Sequence, residues 1–207
     1  MYVSYITGVP TDWYWPRHIA HYTAEDPWDW KFEGFLKLSS ERIIDVCIYE
    51  IEPGLYKMWY KDEDHESHTY AAVSTDLHNW TVVGDEISYN GHEGPNVFEL
   101  GGKKWMITDE WDGLGVYESE DFAHWNRQGV ILKEAGTREC DNVKAHHADV
   151  LVYEGNAYIF YFTHPYVGQG VEMQGRACVQ VAQLEVIDGK LICDRNKEFN
   201  LKMERPV

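Results

Sequence analysis

Three polar residues stand at comparable places in three apolar runs: Asp45 nine residues before Gly54, Glu93 eight before Gly101 and His147 eight before Gly155. Two carboxylates and an imidazole brought to one cavity suit cleavage of a glycosidic bond. One carboxylic acid protonates the leaving oxygen while a second group acts as base or nucleophile on the other face of the sugar. A neighbouring like charge and partial burial raise the pKa of such an acid, so that it keeps its proton near neutral pH. Any one of these residues could equally be a turn or cap residue at a strand start; the shared offset is what sets them apart. His146-His147 with Asp149 also offers transition-metal ligands. Adjacent strand residues point to opposite faces, which argues against both imidazoles reaching one zinc ion.

The elements that would position these residues are read from a repeat. The pattern D-x3-W-x3-G occurs three times, as Asp26, Trp30, Gly34, then Asp76, Trp80, Gly84, then Asp121, Trp125, Gly129. Each copy follows a short apolar run, and turn residues divide each unit into four strands. In the second unit these are Ile43 to Ile51, Tyr56 to Lys61, Thr69 to Ser74 and Trp80 to Val83, with Glu52-Pro53-Gly54 as the first turn. The third unit repeats the pattern, and a fourth begins near His147 and ends in Cys178 to Leu184 and Glu185 to Ile192. Four antiparallel strands in about 45 residues is the size of a propeller blade. In the repeat itself Asp caps a turn, Trp fills the space between blades and Gly closes the strand. The expectation is an all-β chain, a single β-propeller over residues 1–207 built of four-stranded antiparallel blades, with inner strands lining a central channel.

Composition bounds the partners. Acidic residues outnumber basic ones 35 to 18, a formal charge of −17, which would repel a phosphate backbone and makes nucleic acid an unsuitable partner. No stretch approaches eighteen consecutive apolar residues and Met1 to Pro10 lacks the features of a signal peptide, so neither a membrane span nor export is expected. Cys47, Cys140, Cys178 and Cys193 show no CxxC spacing and read as free thiols in a reducing, cytoplasmic setting.

At R-x-I-D (Arg42 to Asp45), H-E-G-P-N-V-F (His92 to Phe98) and H-A-D-V (His147 to Val150), interleaved with S-x-D-L-x-x-W, the sequence resembles the five-bladed β-propeller glycosidases. The nearest likeness is to glycoside hydrolase family 43, with the family 32 type more distant: Gly94 follows Glu93 where family 32 has a cysteine. The resemblance implies a glycoside hydrolase acting on an arabinose- or xylose-containing oligosaccharide or polysaccharide fragment. Glu93 would be the general acid, Asp45 the carboxylate that tunes and orients it, and His147 a substrate-side histidine that helps hold a hydrated calcium ion. No other cofactor is implied.

Tyr2 to Ile6 aligns with the second strand of a blade, so the inner strand carrying the family's catalytic base is expected to be missing from this chain, with weak activity and self-association through the open edge as consequences. Asp12 and Asp149 are the carboxylates that could stand in for the base. Strand direction brings the loops Thr11 to His18, Asp62 to His68, Asp109 to Gly113 and Thr163 to Gly170 around the mouth. There Trp13, Tyr14, Trp15, Arg17, Trp111 and His164 are side chains suited to sugar rings and hydroxyls, and are also ordinary loop residues. The alternative function is a non-catalytic carbohydrate-binding propeller. A protein-interaction propeller is disfavoured by the lack of its G-H and W-D signature.

Overall fold

The computed structural model describes residues 1–9, 11–166 and 176–201, so Val167 to Gly170 of the last expected rim loop lie outside the described residues. Fifteen strands are described: β1 (Tyr2–Ile6), β2 (Arg17–Thr23), β3 (Lys31–Phe35), β4 (Ile43–Glu52), β5 (Leu55–Asp62), β6 (His68–Ser74), β7 (Thr81–Ile87), β8 (Glu93–Leu100), β9 (Lys103–Asp109), β10 (Leu114–Ser119), β11 (Asn126–Ile131), β12 (Ala145–Tyr153), β13 (Asn156–Thr163), β14 (Cys178–Ile187) and β15 (Lys190–Cys193). They form four antiparallel sheets in chain order, β1-β2-β3, then β4 to β7, β8 to β11 and β12 to β15. Three sheets have the expected four strands and the first has three. The ring expected of a five-bladed propeller is not closed among these residues. No helix of the described residues is long and apolar enough to cross a membrane.

The D-x3-W-x3-G units fix how the sheets correspond. Trp30, Trp80 and Trp125 immediately precede β3, β7 and β11, the last strand of each sheet. Hence β1, β2 and β3 match the second, third and fourth strands of the complete sheets. The turn role of the aspartates holds: Asp76 accepts from the His78 and Asn79 N–H groups, and Asp121 from those of Ala123 and His124. Such capping of local N–H groups holds both carboxyls far below the ordinary range.

The glycines correct the sequence reading. They lie inside the last strand, where it bulges against its neighbour. His21, Ala71 and Val116 pair with Gly34, Gly84 and Gly129, while Glu33, Val83 and Gln128 are each left unpaired. With φ of 137°, 129° and 151° these glycines hold a conformation closed to side chains, so the third member of the repeat marks a bulge, not a strand end. A second correction concerns the end of the chain: β14 runs unbroken from Cys178 to Ile187, and the hairpin turn falls at Asp188-Gly189.

Alternation along each strand sends neighbouring side chains to opposite interfaces. In β5, Met58 and Tyr60 join Ile19 and Ile43 in the core between the first two sheets, while Trp59 joins Met106, Tyr117 and Phe122 between the second and third. In β9, Trp105 and Ile107 turn the other way to meet Ile159 and Tyr161 in the core between the third and fourth sheets. The repeat tryptophans serve these seams. Trp80 meets Tyr2 edge-on at 5.9 Å and Trp125 meets Trp59 at 6.0 Å. Trp30, on the outer side of the first sheet, remains 43 % exposed.

The segment between β11 and β12, which delivers the chain to His147, is held by a buried charge cluster. Asp141 accepts from Arg138 (2.7 Å), Arg195 (3.0 Å) and the Tyr161 hydroxyl (2.9 Å), and Arg195 also donates to the carbonyls of Leu132 and Val143. Removing one partner of a buried pair leaves an uncompensated charge. Asp141→Ala is therefore expected to lower stability by about 3–5 kcal/mol, measured from urea unfolding curves at pH 7.

Candidate active site

Asp45, Glu93 and His147 lie on β4, β8 and β12, the first strands of the three complete sheets. Counting along the second strands from the two-residue turns Pro53-Gly54, Gly101-Gly102 and Glu154-Gly155, Lys61, Asp109 and Phe162 are equivalent. They pair with Ile44, Glu93 and His146. The next residue in each first strand is Asp45, Gly94 and His147. All three are left-handed, with φ of 59°, 58° and 22°, and each opens a bulge. Glu93 is thus one position earlier than Asp45 and His147. The sequence offset mismatched it for two reasons: Gly102, not Gly101, is the counterpart of Gly54, and β4 holds an extra bulged residue, Ile51, that lengthens the count from Asp45.

The three side chains converge even so, because Gly94 leaves its place empty for an imidazole. A β-carbon at position 94 would lie 2.4 Å from His147 Nε2. Across that gap His147 Nε2 stands 3.7 Å from Asp45 Oδ2 and Nδ1 stands 3.9 Å from Glu93 Oε1. The tripeptides Asp45-Val46-Cys47, Gly94-Pro95-Asn96 and His147-Ala148-Asp149 line a cavity of about 310 Å³. Side chains tie these strands together: Asn96 donates to Asp149 at 2.6 Å, the Val150 N–H to Asn96 at 3.2 Å, the Val97 N–H to Cys47 Sγ at 3.3 Å and the Asp45 N–H to Ser4 at 3.0 Å.

The two carboxylates sit in different fields. Burial pushes the Asp45 carboxyl up and the charge of Glu93 adds to this, against the opposing pull of His147 and Lys61. Its Oδ2 is buried without a hydrogen-bond partner. Glu93 receives Lys61 Nζ at 3.0 Å, and the same ammonium lies 3.3 Å from Glu63. Glu63 in turn pairs with Arg17 and with Arg42. Sequence reasoning missed Lys61 because a lysine near a strand end carries no signal of its own; only its pairing with Ile44, beside Asp45, brings it to the site.

Asp109 was missed for the same reason. It pairs directly with Glu93 and accepts from the His147 N–H (2.9 Å), the Trp111 N–H (2.7 Å) and His146 Nδ1 (3.3 Å). Burial alone would raise its carboxyl, but these hydrogen bonds outweigh burial and hold it below the usual range. The bulge at His147 also breaks the strand alternation invoked against a two-histidine metal site: Phe162 stacks on both His146 (5.6 Å) and His147 (6.5 Å). Glu93, Asp109 and His147 each present a ligand atom within 4.8 Å of the others, yet the Asp109 oxygens are already committed.

Around the mouth the expected residues divide. Trp111 lies over Lys61 at 5.3 Å, and His164 packs against His146 at 5.5 Å, so both join the site through its own members. Arg17 is the first residue of β2 rather than a loop residue. It is buried, is lowered by that burial and by Arg42, and lies within the fields of Asp45 and Glu93. Trp13 and Tyr14 stack on Arg17 and Arg42 at 5.5 and 5.0 Å. Trp15 stays with its own loop, donating to the Thr7 carbonyl. Of the candidate bases, Asp149 lines the cavity, whereas Asp12 is exposed and accepts from the Tyr14 N–H.

No family model and no curated protein matches this sequence. Solved structures do. A thermostable family-43 glycoside hydrolase superposes with a TM-score of 0.67 at 19% identity, over 92% of this chain and 71% of its own. A variant of a Bombyx mori family-32 β-fructofuranosidase in complex with sucrose gives 0.65 at 13%, over 93% and 47%. An exo-1,5-α-L-arabinanase from a bovine ruminal metagenomic library gives 0.61 at 12%, over 92% and 72%. The fold is that of the family-43 and family-32 β-propeller hydrolases, and the chain spans about half of the silkworm enzyme.

Two expectations follow from the geometry. Gly94→Ala must both strain a left-handed residue and evict the His147 ring, so it should cost about 1–3 kcal/mol in denaturant unfolding, as overpacking does. Asp45→Asn keeps a residue tolerant of the left-handed region and removes a carboxyl whose proton is held more tightly folded than unfolded. Such a group favours the native state below its unfolded pKa, and that contribution is lost as pH rises through the folded value. The variant should therefore melt above wild type at pH 7 and lose that advantage below about pH 4, as followed by circular dichroism.

Proposed function

We propose that this chain forms the catalytic part of a glycoside hydrolase acting on an oligosaccharide or polysaccharide fragment, arabinose- or xylose-containing in the first instance. One observation carries the reading: in a fold shared with family-43 and family-32 hydrolases, two carboxylates flank a single imidazole at the cavity where the first strands meet.

In this reading Glu93 protonates the leaving oxygen. Asp45, whose carboxyl burial pushes up, shares His147 with Glu93 and through it tunes and orients the acid. Lys61 must release Glu93 Oε2 as the substrate enters. Trp111 and His164 offer faces for sugar rings, and Arg17 a donor for hydroxyls. Asp149, already on the cavity wall, is the nearer of the two candidate bases. A hydrated calcium ion beside His147 fits the unpartnered Asp45 Oδ2 3.7 Å away and would supply a fixed positive charge at the cavity floor.

The ion pair between Glu93 and Lys61 favours a second reading, a carbohydrate-binding propeller without turnover. The two are separated by assaying aryl arabinofuranosides, aryl xylosides, sucrose and natural oligosaccharides with wild type and Glu93→Gln. General acid assistance contributes about 10²–10⁴-fold, so the variant should lose at least a hundredfold in kcat/KM. Hydrolysis untouched by the substitution would remove Glu93 from the chemistry. Binding by calorimetry with no turnover in either protein would establish the second reading.

A further inference from the structure

Cys140 and Cys178 lie 38 positions apart in sequence and come together beside Thr163. Cys178 opens β14 and pairs with Thr163, the last residue of β13. The Thr163 hydroxyl donates to the Cys140 carbonyl at 2.5 Å and lies 3.5 Å from the Cys178 carbonyl, so both backbones are drawn to one oxygen. The Tyr166 hydroxyl sits 3.2 Å from Cys140 Sγ, and the neighbouring Cys140 side chain raises the Cys178 thiol. The other two thiols are placed differently. Burial pushes Cys47 up to about 11, with the Val97 N–H on its sulfur, and Cys193 up to about 12. Neither yields thiolate, the nucleophilic form, under ordinary conditions.

We propose that Cys140 and Cys178 are a reversible dithiol–disulfide pair, oxidised by a low-molecular-weight disulfide of the glutathione type. One protein thiolate attacks a sulfur of the oxidised glutathione, and one glutathione leaves as thiolate and takes up the proton released. The second protein thiolate then attacks the mixed disulfide at the protein sulfur and expels the second glutathione. Two thiols and one disulfide become one protein disulfide and two reduced glutathiones. The bond joins the segment held by Asp141 to the start of β14, and the covalent loop it closes contains both His147 and His164. It therefore ties the segment that leads into β12, the strand that supplies the imidazole, to β14, two strands away in the same sheet, independently of what the site binds.

The full chain is equilibrated at pH 8 in buffers of varied glutathione to glutathione-disulfide ratio, quenched with acid and alkylated after denaturation. Two of the four thiols should be lost together, and non-reducing peptide mapping should recover a Cys140–Cys178 linked pair. Melting should rise by several degrees and return on adding dithiothreitol. In Cys140→Ser or Cys178→Ser the remaining thiol should retain a bound glutathione that wild type resolves. Four free thiols at every ratio, two separate glutathione adducts in wild type, or a link through Cys47 or Cys193 would each overturn the proposal.

Discussion

The imidazole of His147 occupies the volume that a side chain at position 94 would fill, and the centre of the molecule is arranged around that substitution of one group for another. Three first strands each turn left-handed at the same register, and each could project a side chain into the channel. Were all three to do so, the cavity would be filled. Because the middle one is glycine, the ring from the third strand crosses to within 3.7 Å of the aspartate on the first. Glu93, one residue earlier, then meets the other ring nitrogen. Asp109 holds the ring's backbone from behind, and the bulges supply the directions that a flat strand could not.

Charge distribution at this centre runs against that of the whole chain. The molecule carries −17 overall, yet Lys61, Arg17 and Arg42 gather beside Glu93 and Glu63. An acidic pair in a strongly acidic body would repel its own protons' departure and its neighbours alike; the local cations offset this where the carboxylates are least solvated. The outcome is asymmetric. Asp45 is compensated mainly by an imidazole, while Glu93 is compensated by an ammonium at hydrogen-bond distance. Two like groups are thereby given different environments, which is the usual route to different roles for paired carboxylates.

Much of the architecture was legible because it repeats. The D-x3-W-x3-G units located the last strand of three sheets, and turn residues located most of the hairpins. Asp45, Glu93 and His147 were legible as polar residues at strand starts within apolar runs. The register relating them was not, since only pairing shows that Gly102 rather than Gly101 matches Gly54 and that Ile51 is an extra, bulged residue in β4. Lys61 and Asp109 were hidden because their importance comes from the strand beside them. Trp15 was legible only as an aromatic side chain; that its indole N–H fastens its own loop to the Thr7 carbonyl had no sequence signal.

The three tripeptides that line the cavity share one backbone path but carry unlike chemistry: acid with thiol, bare backbone with amide, imidazole with acid. Frame and cargo meet inside these tripeptides. Val46, Cys47 and Ala148 pack with the cores between sheets, whereas the left-handed residues Asp45, Gly94 and His147 stand outside them. A gene built by duplicating one such sheet could exchange a left-handed residue, and with it the chemistry, while keeping the residues that hold the sheets together. The same division gives an engineer single positions, rather than whole segments, at which a new specificity can be written.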